Sequence, residues 1–190
     1  MDNKERMLAN LPYKSWMDGL NEERMECKKK LYRYNNMEPE LQAEREKLLR
    51  EILGKTKEGY LCIESPFHCD YGYNIFVGED FFMNFDCVFL DAAPIRIGAH
   101  CMIGPKTCIY AIGHPLDAES RRKKIGIPKP VTIGDNVWIG GGVTILPGVT
   151  IGDNTVVAAA SVVTKSFPGN VVVAGNPARI IRELSNREEV

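Results

Sequence analysis

Every sixth residue from Ile133 to Val163 is a β-branched aliphatic: Ile133, Ile139, Ile145, Ile151, Val157 and Val163. Glycine follows directly at Gly134, Gly140 and Gly152. Four residues after each of the first five aliphatics stands another small or β-branched side chain: Val137, Val143, Val149, Thr155 and Ser161. A helix repeats every 3.6 residues and a half-buried strand every two, so neither alone gives this spacing. A period of six with aliphatic–glycine starts is the signature of a parallel β-helix, in which each hexad is one short strand and one turn. A single hexad cannot bury its apolar face, whereas stacked coils share a continuous core. The same pattern begins less cleanly at Val77-Gly78, Met83 and Phe89. It is clean again at Ile97-Gly98, Ile103-Gly104 and Ile109.

The repeat breaks at Ile112 and resumes at Val131. The intervening stretch holds Gly113-His114-Pro115 and the basic run Arg121-Arg122-Lys123-Lys124. Such an excursion from a solenoid is expected to form a surface loop, the usual place for function. Residues 1–56 carry no hexads and read as an N-terminal helical segment. Residues 57–190 read as the β-helix domain, with the loop insertion at 112–130 and a C-terminal tail. Within the first segment, Asn21 is expected to cap a helix running to about Tyr34. Pro39 is expected to open a second helix that stops at Gly54. Leu41, Leu48, Leu49, Ile52 and Leu53 would form its apolar stripe, and the hairpin would close the open end of the solenoid.

Composition narrows the function. The 190 residues carry 24 basic and 25 acidic side chains, a net charge of −1, which gives no electrostatic footprint for nucleic acid. No apolar run is long enough to span a membrane, and the charged N-terminus lacks a signal-peptide core, so a cytoplasmic location is expected. The six cysteines form no CxxC pair and read as reduced, small apolar fillers. Three histidines are present. His100 lies at a turn of a hexad and reads as exposed, and the role of His68 is open. His114 starts the insertion between Gly113 and Pro115; a histidine so placed is a candidate general base, against the alternative of a structural side chain.

In their order, these motifs resemble those of the hexapeptide-repeat acyltransferases, nearest the maltose and galactoside O-acetyltransferases. The residues that carry the likeness are Asp70-Tyr71-Gly72-Tyr73-Asn74-Ile75, Asn84-Phe85-Asp86, Gly113-His114-Pro115, Asn136-Val137-Trp138-Ile139-Gly140 and Ala174-Gly175-Asn176-Pro177-Ala178-Arg179. The resemblance implies a left-handed β-helix assembled as a homotrimer, with active sites between subunits. It implies acetyl transfer from acetyl-CoA, as co-substrate, to a sugar hydroxyl, with no metal.

His114 matches the family's base, and Asn84 its side-chain amide near the reacting groups. Gly141 and Ala159 match positions along the pantetheine arm, and Thr164, Lys165, Arg179 and Arg182 positions near the nucleotide, where cations suit phosphate. For the sugar, Ser15, Asp70, Asn84, Asp91 and Trp138 occupy the acceptor-side positions, with Ser15 where the galactoside enzymes carry an acid and Asp70 where they carry a serine. The run around Asp70 is nearer to the maltose type than to the galactoside type. Two alternatives remain at this level. The fold also serves hexapeptide enzymes that act on antibiotics or nucleotide sugars. It serves γ-type carbonic anhydrases too, whose catalytic zinc needs three protein ligands; no His-x4-His pair occurs here.

Overall fold

The computed structural model describes residues 1–185. Its body is a stack of coils with three flat faces. The first face carries the strands Lys55–Thr56, Ile75–Val77, Ile95–Ile97, Val131–Ile133 and Thr150–Ile151. The second carries Leu61–Ile63, Phe81–Met83, Met102–Ile103, Trp138–Ile139, Val156–Val157 and Val171–Ala174. The third carries Phe67–Cys69, Cys87–Leu90, Cys108–Tyr110, Thr144–Ile145 and Val162–Val163. All of these strands pair in parallel, and the chain visits the faces in that order, one coil every three hexads.

The repeat aliphatics are the interior. Ile139, Ile145, Ile151, Val157 and Val163 are fully buried, and Ile133 nearly so. They stack in columns: Ile97 on Ile133 on Ile151, Ile103 on Ile139 on Val157, and Ile109 on Ile145 on Val163. The second inward position holds Val137, Val143 and Val149, and then Thr155 and Ser161, whose hydroxyls donate to the carbonyls of Pro168 and Ala158. The corners between first and second faces use the left-handed backbone at Asn136, Asn154 and Asn170. Their side chains form a ladder, Asn136 Nδ2 donating to Asn154 Oδ1 at 3.1 Å and Asn154 Nδ2 to Asn170 Oδ1 at 3.0 Å. Asn tolerates this conformation better than other non-glycine residues.

Helices α1 (Asn3–Leu8), α2 (Leu20–Asn35) and α3 (Gln42–Ile52) precede the coils. Leu31, Tyr34, Leu48, Leu49, Ile52 and Leu53 join the same hydrophobic core as the coil aliphatics, so α2 and α3 close the first coil. Asn35 binds the third-face strand bidentately: its Oδ1 accepts from the Phe67 N–H at 3.0 Å and its Nδ2 donates to the Phe67 carbonyl at 2.9 Å. The Tyr34 hydroxyl donates to the Ile63 carbonyl.

Several local expectations change. Helix α2 starts at Leu20 behind Gly19, so Asn21 lies in its first turn and is not the cap. Helix α3 starts at Gln42, after a turn containing Pro39, and Leu41 is 39% exposed, outside the apolar stripe. Gly54 follows the helix for another reason than a left-handed stop: a Cβ there would sit 1.9 Å from the Tyr73 carbonyl oxygen. Four cysteines are buried, as fillers should be, but Cys62 and Cys108 are only half-buried. The expected C-terminal tail runs past residue 185, and its last residues, 186–190, lie outside the described residues.

The excursion is partly ordered by strands of its own. Ile112–Gly113 pairs antiparallel with Ile125–Pro128, which pairs on its other side with the N-terminal strand Tyr13–Lys14. Between them lies the short helix α4 (Ala118–Arg122), capped by the Asp117 carboxylate. The Lys129 N–H donates to the Ala111 carbonyl at 2.9 Å and closes the neck. Beneath this small sheet lies a second apolar cluster of Met7, Tyr13, Leu20, Tyr71 and Ala92, with Ile112 packed against it.

Candidate active site

His114 is exposed, at the end of the Ile112–Gly113 strand. Its Nδ1 lies 2.8 Å from the carbonyl oxygen of Ile125. A carbonyl oxygen only accepts, so Nδ1 carries the hydrogen and the Nε2 lone pair is left available. The guanidinium of Arg121 donates to the carbonyls of Pro115 and Leu116, the two residues after His114. The Ile125 carbonyl therefore holds the imidazole through Nδ1, and Arg121 fastens the backbone that follows it.

A groove of about 560 Å³ runs along the second face, across successive coils. Asn84, Trp138, Gly141 and Ala159 all line it, together with Met102 and Pro105. These four sequence-predicted residues converge because neighbouring positions of stacked coils fall on one line. Small residues are required by the backbone here. A Cβ on Gly140 would lie 2.6 Å from the Ala159 nitrogen, closer than real side chains come. Trp138 is 53% exposed, flanked in register by Met102 and Val156. Asn84 Oδ1 accepts the Phe85 N–H at 2.8 Å, which fixes the amide with its Nδ2 donors unpartnered among the described residues.

The cations divide. Arg179 and Arg182 lie on the strand Arg179–Glu183, which pairs with Val171–Ala174 at the C-terminal end of the groove's own face. Thr164 and Lys165 are exposed at the next corner, after the third-face strand, and do not line the groove. Lys165 Nζ stands 5.7 Å over the Phe167 ring.

The acceptor-side residues are also separated. Asp70 lines a second hollow, of about 660 Å³, between α2 and the third face, with Lys28, Asn35 and His68. Burial pushes its carboxyl above the usual range, and Arg24 and Lys28 partly oppose this. Ser15 follows the Tyr13–Lys14 strand and so lies beside the His114 sheet. Asp91 departs from expectation. It has no exposed surface, and its Oδ1 accepts the N–H groups of Asp70 and Tyr71, both at 2.9 Å. A carboxylate so enclosed braces the Asp70–Tyr71 turn and is not presented to a sugar. Its Oδ2 has no partner among the described residues, and burial raises its pKa to about 6. His114 is not among the lining residues of either hollow.

Comparison with known proteins follows the same lines. The family model of the maltose acetyltransferase hexapeptide capping motif matches residues 6–57, and that of the bacterial transferase hexapeptide matches residues 130–165. A maltose O-acetyltransferase from Clostridium difficile 630 superposes with a TM-score of 0.94 at 47% identity, over 98% of this chain and 99% of that one. Galactoside O-acetyltransferase of Escherichia coli K12 is 39% identical over 189 residues, 100% of this chain and 93% of its own length. The chain belongs to the maltose and galactoside O-acetyltransferase family. A further hexapeptide-repeat acetyltransferase, from Vibrio cholerae O1 biovar eltor and complexed with acetyl coenzyme A, matches with a TM-score of 0.88 at 40% identity, over 98% of this chain and 100% of that one.

For this member of the O-acetyltransferase family, sequence reasoning passed over Met102 and Pro105 in the groove, helix α1 and the Tyr13–Lys14 strand. Met102 and Pro105 enter the groove because Met102 stacks on Trp138, a relation the hexad register already contains. The Asp2–Glu5 capping box that starts α1 is a readable helix signal. The Tyr13–Lys14 strand has no comparable signal, since two residues show no period.

Proposed function

We propose that the protein is an acetyl-CoA-dependent sugar O-acetyltransferase of the cytoplasm, working as a homotrimer. The observation that carries this reading is the His114 imidazole, fixed through Nδ1 with Nε2 open. In the reaction, Nε2 takes the proton of the acceptor hydroxyl as its oxygen attacks the thioester carbonyl. The C–O bond forms, the C–S bond breaks, and the proton passes to the departing CoA thiolate. General base catalysis of this kind contributes on the order of 10²–10⁴-fold. The unpartnered Nδ2 of Asn84 is a preorganised donor for the charge developing on the thioester oxygen, a role worth roughly 3–4 kcal/mol in acyl transfer.

The second-face groove suits the pantetheine arm. It runs along the stack and is lined at Gly141 and Ala159 by residues without bulk. Arg179 and Arg182 at its C-terminal end suit the phosphates of the nucleotide, and Thr164 and Lys165 extend that positive end around the corner. His114 does not line its own chain's groove, which supports a site completed between subunits, the loop of one copy reaching the groove of the next. Asp70, Ser15 and Trp138 would then meet the sugar, with Asp91 supporting Asp70 from behind. Maltose or glucose is the favoured acceptor over a galactoside, from the Asp70–Asn74 run.

The test is CoA release from acetyl-CoA with glucose, maltose, a β-galactoside or no acceptor, for wild type and His114→Ala. Sugar-dependent release that falls at least a hundredfold in the variant is expected. Absence of release with every sugar, from protein that binds CoA, would sink the sugar reading and leave non-sugar hydroxyl or amine acceptors.

A further inference from the structure

The N-terminal segment reaches the candidate base by a route that its role as a cap does not require. Tyr13 is buried, and its ring packs in the small cluster with Met7, Leu20, Tyr71 and Ala92, against which Ile112 also rests. Ile112 is two residues from His114. Tyr13 stands opposite Gly126 in the antiparallel ladder, and Lys14 opposite Ile125, whose carbonyl holds His114 Nδ1. The Lys14 N–H is turned away to Asn3 Oδ1 at 2.7 Å, so it does not compete for that carbonyl. Gly126 is a tight point: a Cβ there would lie 2.9 Å from Ile112 Cδ1 and 3.0 Å from Tyr13 Cε1. On its far side Tyr13 packs in the same cluster as Tyr71, whose hydroxyl accepts from Arg24 at 2.7 Å. Tyr71 is the residue after Asp70 and is pinned by Asp91.

We propose that Tyr13 is a positioning residue for His114. Wedged between Tyr71 and Gly126, it sets the height of the Ile125–Pro128 strand, so that the Ile125 carbonyl meets Nδ1 and keeps the hydrogen there. The N-terminal segment is then part of the active site, and it couples the base to the Asp70–Tyr71 turn on the acceptor side. The inference rests on His114 acting as the base.

Tyr13→Ala, Gly126→Ala and Tyr13→Phe test it, alongside His114→Ala. Two readouts are needed beside thermal stability: steady-state kinetics, and the ¹⁵N resonances of the histidine ring nitrogens in resting protein, assigned by loss of the His114 signals in His114→Ala. Tyr13→Ala and Gly126→Ala are expected to lower kcat roughly ten- to a hundredfold. KM for acetyl-CoA should hold, because neither Tyr13 nor Gly126 lines the groove. The same variants should lose the Nδ1–H signature of His114, while Tyr13→Phe, which keeps the ring, retains both. Folded Gly126→Ala with wild-type kcat and an unchanged His114 signature would overturn the proposal. A merely structural role predicts that outcome, with only the melting temperature lowered. If His114→Ala keeps full activity while Gly126→Ala loses the tautomer signature, the base reading fails and the brace stands.

Discussion

Asp91 Oδ1 accepts the backbone N–H of Tyr71 at 2.9 Å in a place that solvent does not reach. The same oxygen takes the Asp70 N–H, and Asn74 Nδ2 donates to the Asp91 carbonyl at 2.8 Å. One residue therefore ties down the whole turn that presents Asp70. Its second carboxyl oxygen is left without a partner among the described residues.

That arrangement makes stability depend on pH. Desolvation raises the Asp91 pKa from 3.8 to about 6 in the folded protein. Between these values the folded state binds more protons than the unfolded one, so this group's contribution falls as pH rises through the window. The stability advantage of wild type over Asp91→Asn should shrink by up to about 3 kcal/mol between pH 4 and pH 7. Urea denaturation of both proteins across that range checks it; an advantage that grows with pH would contradict the assignment.

Asn35→Ala removes both hydrogen bonds between α2 and the Phe67 backbone and leaves a half-buried N–H and C=O to find water. A loss of about 2 kcal/mol is expected. Hydrogen exchange should quicken first at Phe67 and its third-face neighbours, with the later coils unaffected.

Gly140→Ala places a methyl against the Ala159 backbone nitrogen, and backbone cannot yield as a side-chain tip can. The cost should be on the order of 2 kcal/mol. Calorimetric titration with CoA should show weaker binding as well, since Gly140 and Ala159 both line the groove.

Asn154 separates two effects. Its φ is 56° and it sits in the middle of the asparagine ladder. Asn154→Gly loses the ladder bonds but keeps the backbone free, whereas Asn154→Ala loses the bonds and strains the corner. The alanine variant should be the less stable of the two by about 1 kcal/mol, measured by thermal melts.

The solenoid was legible because its geometry repeats within six consecutive residues, so Ile133 to Val163 announce their own burial. The groove followed from it: once the coils stack, Trp138, Gly141 and Ala159 must align. What stayed hidden depends on contacts between distant segments. Tyr13 meets Gly126 across more than half the chain, and neither residue shows a pattern. Asp91 looks in sequence like any acid at a strand end; only the Asp70–Tyr71 turn folding over it decides that it points inward. His114 stood out as the start of the insertion, but its tautomer depends on a carbonyl that only the folded hairpin supplies.

The neck at Ala111 and Lys129 has a wider consequence. Because the chain leaves and re-enters at nearly one point, Ile97 still stacks on Ile133 as though the intervening residues were missing. The frame is indifferent to what hangs from that point. Residues 116–124, between the two strands of the excursion, can be lengthened, shortened or exchanged with little change to the interior, so the tip beside His114 is free to drift in evolution while the part that guarantees folding stays fixed.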